Sequence, residues 1–259
     1  MAAATFAIRK PAVAIFTLGD YVAANIMTAA QAETLSVAVA DRCNVLVAGG
    51  TATGKTILTN ALRAEVAKTE DRVVLIEDTR ELQCAAPNLV ALRTKDNVAS
   101  LSDLVRSSLR LRPDRISIGE VRGPEALALL KAWGTGHPGG IGTIHAGTAL
   151  GALRRMEQLI QEAVVTVPRA LITETIDLVV SFQQVVHSIQ TELVGVTKLQ
   201  HCSEGSNERA QECQTDAHWS RTAGWDDQKR DELCPGSRNL RRLRWNGVEV
   251  VSPLQGGGA

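Results

Sequence analysis

Eight consecutive residues, Gly49-Gly50-Thr51-Ala52-Thr53-Gly54-Lys55-Thr56, are of the types that hold phosphate. Glycines let a chain curl until successive N–H groups converge on phosphate oxygens. A helix that opens at the end of such a loop adds the partial positive charge of its N-terminus. Lys55 would reach the β- and γ-phosphates of a nucleotide, and the Thr56 hydroxyl would ligate Mg²⁺. The pattern requires a strand before it and a helix after it. Asn44-Val45-Leu46-Val47-Ala48 supplies a short apolar run, and residues 57–68 read as a helix. The competing reading is a glycine-rich turn with an incidental lysine, and the flanking elements weigh against it.

Phosphate transfer from such a loop also needs a carboxylate at the end of a neighbouring strand, to hold Mg²⁺ through water or to polarise the attacking water. Two places offer one. Glu120 follows Ile116-Ser117-Ile118-Gly119 and precedes Val121-Arg122-Gly123. Glu77 and Asp78 follow Val73-Val74-Leu75-Ile76 and precede Thr79-Arg80-Glu81. The C-terminal ends of parallel strands are where such sheets bind ligands. Either acid could instead face solvent and cap the turn that follows it.

Glycines also surround two histidines, His137 and His145, in the segment 134–147. That composition predicts a mobile loop entering a strand, where a histidine could sense the γ-phosphate or pass that signal to a neighbour. A polar structural role is the other possibility for each. Arg110, Arg112, Arg115 and Arg122 cluster around the third strand. An arginine can stabilise transferring phosphate charge across a subunit interface, but any one of these, taken singly, reads as part of a solvated basic edge.

The elements that must position these groups alternate. Strands are predicted at 44–48, 73–76, 116–119, 142–144 and 178–180, and helices at 55–68, 101–111, 124–133 and 150–163. Short apolar strands between amphipathic helices predict a mainly parallel sheet covered on both faces. Before this core, residues 17–27 read as a short helix, and 30–41 suit a helix or a strand. Residues 1–41 are therefore expected to be an arm and linker, and 42–181 the α/β domain. Residues 182–259 are polar with weak periodicity and are expected to be a poorly ordered tail.

Composition narrows the class. The 259 residues carry 28 basic and 28 acidic side chains, so a surface built to coat nucleic acid is not indicated. Aromatics are only 3%, which disfavours base-stacking platforms. Five cysteines with no CxxC pair fit a reducing compartment, and the spacing of His201, Cys202, Cys213, His218 and Cys234 matches no usual zinc pattern. No stretch is apolar and long enough to span a bilayer. A cytoplasmic protein with at most peripheral membrane contact is expected.

Taken in order, Gly49–Thr56, Leu75-Ile76-Glu77-Asp78-Thr79-Arg80-Glu81-Leu82, the segment 112–123, and Gly136-His137-Pro138-Gly139-Gly140 through Thr143-Ile144-His145-Ala146 resemble the Walker A, Asp box, Walker B and His box of the type II/IV secretion ATPases. The resemblance is closest to the TrbB-type conjugal transfer branch and runs from about residue 6 to 180. It implies a RecA-like P-loop core and a hexameric, ATP- and Mg²⁺-dependent ATPase at the cytoplasmic face of the inner membrane. Such a motor works with inner-membrane secretion proteins to power pilus assembly or DNA–protein transfer, without sequence-specific nucleic-acid binding of its own. By position Lys55 and Thr56 carry over as phosphate and Mg²⁺ ligands. Glu77 and Glu120 carry over as the catalytic and metal-site acids, and His137 and His145 as the His-box residues. The family's N-terminal domain is matched only by its last arm and linker, and residues 181–259 depart from the family pattern. An impaired, nucleotide-binding fragment is therefore an alternative expectation, as is a pilus or type II secretion ATPase.

Overall fold

The computed structural model describes residues 16–184, 191–200, 240–245 and 248–253. Two short helices lead in, α1 (Leu18–Ala23) and α2 (Ala29–Ala40). Each opens on a capping box, Thr17 with Asp20 and Thr28 with Gln31, which satisfies backbone donors that a helix start leaves orphaned. Those caps decide α2 as a helix where the spacing of its apolar residues left a strand open.

The core then alternates: β1 (Val45–Gly49), α3 (Lys55–Val66), β2 (Arg72–Glu77), β3 (Asn88–Arg93), α4 (Leu101–Ser108), β4 (Arg115–Ile118), α5 (Glu125–Gly134), β5 (Ile141–His145), α6 (Ala149–Gln161), α7 (Arg169–Thr175) and β6 (Leu178–Gln184). β1 lies between β5 and β6, parallel to both. β2 lies between β3 and β4, again all parallel. The two groups adjoin after β4, where the Val121 N–H donates to the Thr143 carbonyl at 2.8 Å. The α/β architecture with a mainly parallel sheet under helices is the one expected.

Strand residues alternate between two cores. Leu46, Ala48, Val74 and Ile76 pack with α4, α5, α6 and α7. Val45, Val47 and Val73 pack on the other face with α1, α2 and α3. Burial on both faces explains why these strands read as unbroken apolar runs. It also makes α1 and α2 part of that second core, through Leu18, Tyr21, Leu35 and Val39.

Some elements depart from expectation. β3 and α7 carry no strong periodic signal; β3 is an edge strand whose side chains are only half-buried or exposed. β6 runs to Gln184 rather than ending at 180. Beyond it β7 (Thr191–Gln200) pairs antiparallel with β6, followed by β9 (Val248–Pro253) and β8 (Leu240–Trp245). Among the described residues, the region expected to lack strand pattern holds three strands. A bulge at Ser181/Phe182 shifts the β6–β7 register and breaks the two-residue alternation that would have announced the pairing. The zinc-like cluster of 201–234 and Trp219 and Trp225 lie outside the described residues.

Candidate functional site

β1 ends at Gly49 and the chain turns sharply before α3. A Cβ at Gly49 would stand 2.4 Å from the Thr53 hydroxyl, so the loop closes only around glycine. Gly54, at φ +86°, caps α3 in the left-handed region with no side chain bonded to the helix start. The first-turn N–H groups of α3 are thus left uncapped by any side chain, as anion binding at a helix N-terminus requires. Ala52 is also left-handed, at φ +59°, an uncommon conformation for a residue with a Cβ and one that recurs at functional loops.

The Lys55 Nζ donates to the carbonyls of Gly49 and Gly50, at 2.9 and 2.6 Å. This arches the side chain back over the loop. Burial lowers the Lys55 pKa from its ordinary value, Glu120 opposes that shift, and Arg122 adds to it. Thr53 Oγ1 donates to the Gly50 carbonyl at 2.9 Å and closes the turn from inside.

A cavity of about 600 Å³ opens over the loop. Residues 51–57 line it on one side, and Glu77, Asp78, Glu81, Gly119, Glu120, Arg122, Thr143 and His145 on the other. Each acid arrives there because its strand ends there. Glu77 closes β2 and is 4% exposed; its Oε2 accepts the N–H groups of Glu81 and Leu82, both at 3.0 Å. Glu120 follows β4 by two residues and pairs with Arg122, whose Nε donates to Glu120 Oε2 at 2.6 Å. Asp78 accepts from the Thr94 hydroxyl at 2.7 Å and lies 3.9 Å from the Arg122 guanidinium. His145 closes β5, in register with Gly49.

Not every predicted residue converges. Arg80 is exposed and does not line the cavity. His137 lies before β5, at the opposite edge of the sheet, where its Nδ1–H donates to the Pro113 carbonyl at 2.7 Å. Arg115 is 2% exposed and ion-paired with Asp71 at 2.5 Å on that same far edge. Of the four clustered arginines, Arg122 is the one among the cavity-lining residues. Thr143 was not singled out from sequence; its hydroxyl donates to the Gly119 carbonyl at 2.7 Å and ties β5 to the Glu120 turn.

The type II/IV secretion system protein family matches residues 1–225. The chain belongs to that family. Among curated relatives, the probable conjugal transfer protein TrbB of Sinorhizobium fredii is 51% identical over 182 residues, 70% of this chain and 56% of that one. The type IV secretion system protein VirB11 of Bartonella quintana is 42% identical over 134 residues, 50% of this chain and 37% of that one. This chain thus spans about half the length of the curated relatives it matches first. The VirB11 ATPase from the Brucella suis type IV secretion system, solved with sulphate, superposes at a TM-score of 0.59 with 27% identity, covering 73% of this chain and 60% of that one. The pilus retraction motor PilT with bound ADP gives 0.57 at 20% identity, a likeness of fold. The fold of this family member is accordingly the RecA-like one, with the loop 49–56 at the end of its central strand.

Mg²⁺ suits what this chain presents there. It is bound through one or two carboxylates, waters and substrate phosphates rather than by an all-protein cage. The Thr56 hydroxyl and the Glu120 carboxylate both line the open cavity. No group of three or more His, Cys, Asp or Glu that could hold a metal occurs among the described residues.

Proposed function

We propose that this chain is the ATP-hydrolysing core of a motor subunit of a type IV secretion (conjugal transfer) system, powering pilus assembly or DNA–protein transfer. The observation that carries the reading is convergence. The phosphate loop, two strand-end glutamates and His145 face one cavity, though they come from four separate strands. Lys55 and the α3 N–H groups would bind the β- and γ-phosphates, with Thr56 and Glu120, the latter through water, holding Mg²⁺. The ion, when bound, neutralises charge on the transferring phosphoryl group. Glu77, fixed by two backbone N–H groups, would orient or deprotonate the attacking water. Arg122 would answer charge changes at Glu120, its ion-pair partner. His145, at the mouth, would report the phosphate state. By family the subunit would act in a homo-oligomer, a hexameric ring, in the cytoplasm against inner-membrane secretion proteins. No helix among the described residues is long and apolar enough to cross a membrane.

Calorimetry and phosphate release on the full chain test this. ATP should bind with Mg²⁺ and be hydrolysed, and chelation should abolish turnover. Lys55→Ala removes a charged donor worth roughly 1.5–3 kcal/mol and should weaken ATP affinity accordingly. Equal affinity in variant and wild type rejects the site. Binding without turnover would favour a nucleotide-binding subunit that does not itself hydrolyse.

A further inference from the structure

Beneath the cavity floor, α3 carries a fully buried arginine that none of the sequence motifs includes. Arg63 has no exposed surface. Its Nη1 donates to Asn60 Oδ1 at 3.3 Å and its Nη2 to the Ile118 carbonyl at 3.5 Å. Both are long beside charge-assisted bonds, which run about 2.7–2.9 Å. Nε has no hydrogen-bond partner among the described residues. Burial pulls the guanidinium pKa down to about 10, with Cys84 and Glu77 opposing. An arginine so loosely bonded and so dehydrated is a poor source of stability, because a buried charge repays its desolvation only through excellent geometry.

Its neighbours suggest another use. Asn60 lies one helical turn before Arg63, on the same face of α3. Asn60 Oδ1 also accepts the Gln83 N–H at 3.0 Å, and its Nδ2 donates to the Glu81 carbonyl at 3.5 Å. The turn that Asn60 grips is the one whose N–H groups hold Glu77. The Ile118 carbonyl that Arg63 grips lies two residues before Glu120. The helix that begins at the phosphate loop therefore reaches both acid-bearing strand ends through one pair of side chains.

We infer that Arg63, acting through Asn60 and the Ile118 carbonyl, is a positioning residue that fixes Glu77 and Glu120 relative to the phosphate loop. The role rests on the proposed catalytic use of those acids. Arg63 touches no substrate atom; it sets the separation between the loop that holds the nucleotide and the groups that act on it. A misplacement of about 1 Å in such a geometry can cost about 10²-fold in rate.

The test uses the full chain with Arg63→Met, Arg63→Lys and Glu77→Gln, reading hydrogen exchange across 77–83, nucleotide affinity, kcat and KM. Arg63→Met should speed exchange at the 81–83 amides, leave ADP affinity intact and lower kcat about 10²-fold at unchanged KM. Arg63→Lys, which keeps a cation and donors, should recover part of both effects. Glu77→Gln keeps a carbonyl acceptor for the turn, so it should slow turnover without speeding exchange. Unchanged 81–83 exchange in Arg63→Met overturns the inference, and so does a loss of stability and activity that Arg63→Lys does not relieve. A slow Glu77→Gln beside an Arg63→Met at wild-type rate overturns the positioning role alone. A Glu77→Gln at wild-type rate overturns instead the catalytic role of Glu77. If Arg63→Met does not fold, Asn60→Ala replaces it with the same exchange readout, and unchanged exchange there is equally fatal.

Discussion

The two edges of the parallel sheet are built from the same residue types and do opposite things. At the C-terminal edge, Lys55, Glu77, Glu120, Arg122 and His145 border an open cavity. At the N-terminal edge, Arg42, Asp71, Arg115, Asn44, Asp177 and His137 close upon one another and upon the backbone. Asp71 pairs with both Arg42 and Arg115, and Arg115 donates to the Val39 carbonyl at 2.9 Å. Asn44 accepts the Gly140 N–H at 3.0 Å and donates through its Nδ2 to the Thr175 carbonyl at 2.8 Å, while its own N–H donates to Asp177 at 2.7 Å. His137 is spent on Pro113. Polar groups at both edges bond within the protein, but those at the C-terminal edge also border an open cavity, where a ligand can share or exchange those bonds.

That contrast is open to attack from both sides. The largest effect is expected at the open edge. Glu120→Gln and Glu77→Gln should each keep ATP binding while lowering turnover about 10²–10⁴-fold. If both variants hydrolyse ATP at the wild-type rate, the acids at this edge are not catalytic.

The closed edge should answer in stability instead. Asp71→Asn leaves Arg115, 2% exposed, without its carboxylate, and breaking a buried pair costs about 3–5 kcal/mol. Denaturant unfolding should show that loss, while ADP affinity of the folded variant stays at the wild-type value. A drop in affinity matching the drop in stability would mean that the two edges are not separable.

The same ion pair makes a pH prediction. Burial raises the Asp71 pKa, but the hydrogen bond and charge of Arg115, with Arg42, outweigh it and hold the carboxyl below its ordinary 3.8. A carboxylate depressed in the folded state stabilises fully above its unfolded pKa and loses that contribution as pH falls through the folded one. The wild type should therefore lose stability below about pH 4 more steeply than Asp71→Asn. Parallel acid curves would remove Asp71 from the account.

The smallest effect separates the two histidines. His137→Ala should cost about 1 kcal/mol, the net worth of one hydrogen bond, with nucleotide turnover intact. His145→Ala should alter turnover with no change in melting temperature. The reverse pattern would place the sensing histidine at the wrong edge.

Much of this was legible in the chain, because some of it is local. The phosphate loop is eight contiguous residues whose backbone conformation their own types dictate, from the close approach at Gly49 to the left-handed Gly54. Strand ends are local too: once 73–76 and 116–119 read as buried parallel strands, Glu77 and Glu120 must project at the ligand-binding edge. Two features went unread: β3, although its run Leu89-Val90-Ala91-Leu92 is apolar, and the β6–β7 pairing, whose shifted register breaks the alternation that marks a strand with one solvated side.

Partnership was beyond the sequence altogether. His137 and His145 stand in one glycine-rich stretch, yet β5 between them puts roughly 16 Å of extended chain, at about 3.3 Å per residue, between a backbone bond and the cavity mouth. Arg115 opens β4 and Arg122 follows the turn after it, so the direction of that one strand sends the first into an ion pair and the second to the cavity. Arg63 sits unmarked in the middle of a helix and acquires meaning only where it meets the Ile118 carbonyl and where Asn60 meets the 81–83 turn. Most of the buried elements of the α/β core, and the acids at two of its strand ends, were readable from the chain alone, since propensity, capping and periodicity act within a few residues. Which charge meets which was left to the fold, because most of those contacts, such as Arg115–Asp71, join residues tens of positions apart and depend on the register and direction of strands that packing brings together.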